Sequence, residues 1–207
     1  VKGPAYRVVT PRLVIRCYNP ADAALLKDAV DSSLDHLRPW MPWAARYPQS
    51  MQDMVDMLRR FRGQFDLGQE YTMGIFSRDE SRVLGGTGLH PRGGEGSREI
   101  GYWVRADEIH KGYATEVSAA LTRVGFEIEQ LRRMGIHCDI ANVRSAAVPA
   151  RLGYTHEATL RRRLRGGDDQ FHDEMVWTLQ AEDYAGSPAS QLPYEAYDAA
   201  GRLIARG

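Results

Sequence analysis

Lysine is almost missing from this chain: Lys2, Lys27 and Lys111 are the full set, and arginine supplies the rest of the 27 basic residues. Acidic residues also number 27, so the formal net charge is zero. No global field then favours nucleic acid or a membrane surface, and neither is expected as a partner. Cysteine is scarce too. Cys17 and Cys138 both fall in apolar alternating stretches, which reads as two buried free thiols and argues against a disulfide framework. No apolar run approaches the roughly 18–20 residues that a membrane span needs. The opening Val1-Lys2-Gly3-Pro4 lacks the three-part pattern of a secretory leader, and a cytoplasmic protein is expected. The histidines are scattered without an HxxxH pair and there is no CxxC, so no metal site is expected.

What is present suits one globular core: 207 residues, 43% hydrophobic and 26% charged. Residues 12–18 read as a first strand. Asn19-Pro20 offers an N-cap and a first-position proline for a helix over 21–34. Two prolines keep Arg38-Pro39-Trp40-Met41-Pro42-Trp43 irregular. Met51, Met54, Val55, Leu58, Phe61 and Phe65 recur at helical spacing. Three short strands follow at 71–76, 83–89 and 100–104. Ala114, Val117, Leu121, Val124 and Ile128 then form the clearest helical stripe. A strand over 136–140, a short helix over 142–152 ended by Gly153, and a hairpin of 154–164 with 171–179 complete the pattern. This order predicts an α+β (mixed α/β) domain over 1–180. Residues 181–207 read as a polar C-terminal extension, able to form a small hairpin and to pack on its own domain or on a second copy in a homodimer.

One stretch points to chemistry. Ile100 to Arg105 is a strand, and after a five-residue connection Lys111-Gly112-Tyr113-Ala114-Thr115-Glu116 opens the best helix. A helix start exposes unpaired N–H groups at the positive end of its dipole, a setting suited to a diphosphate. By themselves these residues fit an ordinary helix start as well. Asn142-Val143-Arg144-Ser145 and Leu152-Gly153-Tyr154 follow one helix later. Together with Thr10-Pro11-Arg12-Leu13-Val14-Ile15-Arg16, the Leu37–Trp43 loop and Gly101-Tyr102-Trp103-Val104, they resemble the GNAT N-acetyltransferase superfamily, most closely its RimJ/RimL-like branch. The resemblance covers about residues 10–180.

That resemblance implies a GNAT-like fold, a mixed and mostly antiparallel sheet flanked by helices, with a V-shaped splay between 99–104 and 136–141. It implies acetyl-CoA as cosubstrate, with backbone amides of Lys111, Gly112, Tyr113, Ala114 and Thr115 holding the pyrophosphate. The backbone of Trp103, Val104 and Arg105 would pair with the pantetheine arm, and an N–H of Trp103 or Val104 would polarise the thioester carbonyl. Asn142 would hold the arm and Ser145 would donate to the sulfur. Two departures stand out: Ile109 stands where Gln or Arg is usual, and Pro149 falls inside the helix after Asn142, where a kink is expected.

Direct attack of an amine on a thioester needs a base, and Glu99, at the start of the strand lining the cleft, is the first candidate, with His172 and Asp173 in reserve. Trp40 and Trp43 gather where the acceptor would enter. The expected activity moves an acetyl group from acetyl-CoA to a primary amine, a protein or peptide N-terminus or a small molecule, through a tetrahedral intermediate. The alternative is a non-catalytic CoA-binding sensor or assembly module on the same fold.

Overall fold

The computed structural model describes residues 4–207, so the reading of a missing leader at Val1 to Gly3 lies outside them. In chain order the elements are β1 (Arg7–Val9), β2 (Leu13–Cys17), α1 (Ala23–Asp31), α2 (Leu34–Leu37), α3 (Met51–Asp66), β3 (Tyr71–Ser77), β4 (Val83–His90) and β5 (Ser97–Val104). They continue with α4 (Tyr113–Arg123), β6 (Arg133–Asp139), α5 (Val143–Arg151), β7 (Thr155–Arg165), β8 (Phe171–Gln180), α6 (Ala181–Tyr184), β9 (Glu195–Tyr197) and β10 (Leu203–Arg206). The described strands form one open sheet in the order β10-β9-β1-β2-β3-β4-β5-β6-β8-β7. The α+β fold is the one the sequence predicts.

Alternation sorts the side chains onto two faces. On one, Leu13, Ile15, Met73, Ile75, Ile100 and Ile136 pack against the Val117, Leu121 and Val124 stripe of α4. On the other, Val14, Phe76 and Val83 meet Leu26 and Val30 of α1 and Met54 and Leu58 of α3. Each such side chain, fully buried, contributes about 1.5–3 kcal/mol, which pins the helices to the sheet. The α4 stripe runs on past Arg123 through a π turn at Val124–Ile128.

A break in the sheet positions the site. β5 and β6 are parallel, as a crossover through α4 requires, and they pair only over Ser97–Glu99 with Arg133–Gly135. Beyond that point Ile100–Val104 stays with β4 while Ile136–Asp139 stays with β8, so the two strands part.

Residues 181–207 return across the α4 side of the sheet. β9 pairs antiparallel with β1, and β10 pairs antiparallel with β9. Ala189, Tyr194 and Ala196 are buried in the same cluster as α4. Glu127 ties the segment down, accepting from Arg123 Nε at 2.9 Å, Tyr194 Oη at 2.8 Å and the Tyr184 hydroxyl.

Candidate active site

The parted strands open a cleft of about 400 Å³, walled by β5, the start of α4, the start of α5 and the Trp40–Met41 loop. Gly112 is the N-cap of α4 at φ 80°, the left-handed region that glycine adopts without strain. The first helical bond runs from Glu116 N–H to Gly112 O at 3.1 Å. The N–H groups of Tyr113, Ala114 and Thr115 therefore have no acceptor among the described residues, and all three residues line the cleft.

The Thr10-Pro11-Arg12 segment aims this terminus. Glu116, buried in the first turn of α4, accepts from Thr10 Oγ1 at 2.6 Å, Arg12 N–H at 3.1 Å and Arg12 Nε at 2.6 Å. Arg12 Nη1 also donates to the Lys111 carbonyl at 2.7 Å. A planar trans peptide then turns the Gly112 N–H away from Arg12. Glu116 and Arg12 thus do more than the sequence discloses: a carboxylate early in a helix reads as dipole pairing, and its partner lies a hundred residues earlier.

Backbone alternation decides which strand groups face the split. Arg105 N–H donates to Leu84 O at 2.9 Å, and Trp103 pairs with Gly86 in the same ladder. The N–H of Trp103 is therefore directed at β4, while those of Tyr102 and Val104 turn toward the split. This corrects the expectation for the Trp103 main chain. Its indole instead lies over Gly86, on the face of α1 and α3, with its ring 5.9 Å from that of Trp43. Trp40 lines the cleft; Trp43 backs Trp103 and Tyr47 from outside it.

Asn142 caps α5 by accepting from Ser145 N–H at 3.1 Å, and both residues line the cleft. The structure does not bring Glu99 or Lys111 into that lining. Glu99 lies at the closed end of the split, accepting from Arg92 Nη1 at 2.9 Å, with His137 Nδ1 at 3.6 Å. The Lys111 ammonium pairs with buried Glu108 at 2.7 Å. The reserve pair is separated as well: His172 bonds Asp139 and Asp168, whereas Asp173 accepts from the Arg162 N–H at 2.9 Å.

Charge at the mouth is positive. Arg144 and Arg151 line it without an ion pair among the described residues. Burial, with Arg144 and His110 close by, holds His36 below the usual imidazole range and so uncharged at neutral pH. Free amides on a glycine-capped helix, unpaired arginines and an open strand edge fit a diphosphate carrying an extended amide-rich arm. His36, Arg144 and Arg151 escaped the sequence reading because nothing in their spacing joins α2 to α5.

Comparison with known proteins gives the same picture. The family described as acetyltransferase (GNAT) domain matches residues 12–155. YdaF of Bacillus subtilis (strain 168), provisionally named a ribosomal N-acetyltransferase, is 25% identical over 179 residues, covering 86% of this chain and 96% of its own. Among solved structures, Mycobacterium smegmatis RimJ in complex with CoA-disulfide superposes with a TM-score of 0.78 at 24% identity, covering 90% of this chain and 91% of its own. RimL, a ribosomal L7/L12 alpha-N-protein acetyltransferase in complex with coenzyme A, does so with a TM-score of 0.74 at 19% identity, covering 83% and 96%. At these identities the two structures establish the fold.

Proposed function

This chain belongs to the GNAT acetyltransferase family, and from that premise we propose that its split cleft carries acetyl transfer from acetyl-CoA to a primary amine. The acceptor class is a protein or peptide N-terminus, as the names of its relatives suggest, or a small amine. The observation that carries the reading is the parting of β5 and β6 after Glu99 and Gly135, with the free amides of α4 at its mouth.

The roles follow from position. Main-chain N–H groups of Tyr113, Ala114 and Thr115, assisted by Arg144 and Arg151, take the pyrophosphate. The edge of β5 pairs with the pantetheine arm, and the Asn142 side chain steadies it. Of the two main-chain N–H groups turned to the split, that of Val104 pairs with the arm and that of Tyr102, nearer Glu99 and Ser145, faces the thioester carbonyl and holds the oxyanion once the amine has attacked, a contribution on the order of 3 kcal/mol for such a donor. Trp40, Met41 and Trp103 form the acceptor wall, with Trp43 as support. Ser145 donates to the departing sulfur. Glu99 is the proposed base: it shares the acceptor face of β5 with Trp103, and Gly101 between them carries no side chain. Its pair with exposed Arg92 is of the surface kind, worth about 0–1 kcal/mol, and yields readily to a cationic amine.

Thiol release from acetyl-CoA, measured against a panel of peptides and amines, tests the activity; no turnover with any acceptor despite tight acetyl-CoA binding would leave the sensor reading standing. In the same assay Glu99→Gln is expected to lower kcat/KM about 100-fold. An unchanged kcat/KM would take Glu99 out of the mechanism.

A further inference from the structure

Proline has no N–H, so Pro149 inside α5 leaves the carbonyl of Ser145, four residues back, without its helical donor. The Tyr102 hydroxyl stands within reach of that carbonyl and of the serine's own hydroxyl. It lies 3.1 Å from Ser145 O and 3.0 Å from Ser145 Oγ, reaching across the split from β5, and both residues line the cleft. Burial pushes the Tyr102 hydroxyl well above the usual phenol range, so it keeps its proton wherever the enzyme works. Asn142 already fixes the Ser145 main chain. What remains free is the rotation of the serine hydroxyl, which both the Tyr102 hydroxyl and the Cys138 thiol reach; of the two, the hydroxyl is the stronger donor.

We propose that Tyr102 is a positioning residue for departure of the thiol. By donating to Ser145 Oγ it turns the serine's own hydrogen toward the sulfur, and the pair stabilises the thiolate as it leaves. This rests on the acetyl-CoA reading above. In the step itself, the amine lone pair forms the C–N bond and the C–S electron pair departs on sulfur. The proton the sulfur finally takes is the one the nitrogen sheds. Tyr102 and Ser145 keep their protons and act only as hydrogen-bond donors, as befits hydroxyls far less acidic than a thiol of pKa about 8.5.

Tyr102→Phe keeps the ring and removes the donor. It is expected to lower kcat about 10- to 30-fold with KM for acetyl-CoA within about twofold. At a pH above the ionisation of its thiol, CoA is expected to bind the unaltered protein about tenfold more tightly than desulfo-CoA. That preference should fall below about twofold in Tyr102→Phe and equally in Ser145→Ala, which tests the pair even if the tyrosine variant folds poorly. Adding Tyr102→Phe to Ser145→Ala should cost less than about twofold more. A hydroxyl that merely satisfies the Ser145 carbonyl predicts otherwise. Both ligands would weaken alike, and Pro149→Ala, which returns a backbone N–H to that carbonyl, would rescue Tyr102→Phe. Either result overturns the proposal. An unaltered protein that binds neither ligand would overturn the acetyl-CoA reading instead.

Discussion

At the scale of single residues, Gly112 was legible in the sequence and Tyr102 was not, for one physical reason. A glycine beside a helix start announces a backbone need, and its φ of 80° shows that need to be real. A tyrosine between glycine and tryptophan in a strand announces only burial. Its hydroxyl acquires a role through the Ser145 side chain, on another element. A kink is expected at Pro149, yet the helix runs through it from Val143 to Arg151, with the Tyr102 hydroxyl 3.1 Å from the Ser145 carbonyl. Gly112 also permits a clean prediction. A Cβ there would lie 3.5 Å from Arg12 Nη2, an ordinary contact, so any cost of Gly112→Ala is conformational. That cost is about 1–2 kcal/mol. It falls on the peptide that presents the amides, and KM for acetyl-CoA is expected to rise about 5- to 30-fold with kcat little changed. Steady-state kinetics over both substrates checks it; a normal KM would mean that the phosphates sit elsewhere.

Among the elements, those with their own periodicity were read to within a few residues: α3, the β3–β4–β5 meander, α4 and the β7–β8 hairpin. The missed strand is β1, whose three residues lie between β2 and β9, the latter arriving from the far end of the chain to pair with Arg7–Val9. The β7–β8 tip shows a related limit. Gly167 approaches the Arg38–Pro39 backbone so closely that a Cβ would lie 1.5 Å from Arg38 O, and its N–H donates to Pro39 O at 3.3 Å. Gly166-Gly167 looked like turn chemistry alone, yet it docks the hairpin on the loop that carries Trp40. His172 braces the tip, placed between Asp139 and Asp168, which together raise its pKa above the usual imidazole value. A raised folded pKa adds stability in full below the unfolded value of about 6.5. That stability is lost as pH climbs through the folded value. The melting temperature is therefore expected to fall on passing from pH 6 toward pH 8.5, and His172→Gln should flatten that slope. Parallel slopes in thermal melts of the two proteins would show that His172 titrates alike in the folded and unfolded chains, with no gain from Asp139 and Asp168.

For the whole molecule, the question is whether residues 181–207 are an appendage. Their polar, turn-rich composition reads as one, since a local pattern cannot reveal a partner as distant as Arg7 is from Tyr197. The packing argues for an integral part. Ala189, Tyr194 and Ala196 are buried with Val8, Leu121 and Val124, and β9 takes the outer edge of β1. That edge matters to the site, because the turn after β1 carries Thr10 and Arg12, the groups that hold Glu116 and aim the start of α4. Ending the chain after Gln180 would expose the tyrosine, the two alanines and the β1 edge. Apolar burial of that size is worth about 4 kcal/mol, which for a chain of this length lowers the melting temperature by about 8–16 °C. A second consequence sets this apart from a general loss of stability. Below the melting point of the shortened chain, KM for acetyl-CoA should rise several-fold while KM for the amine holds, since the strand leading into Thr10 and Arg12 keeps only β2 as a neighbour and the acceptor wall is untouched. A shift under about 3 °C with both KM values intact would instead establish 1–180 as a self-sufficient unit and leave the extension free for some other partner.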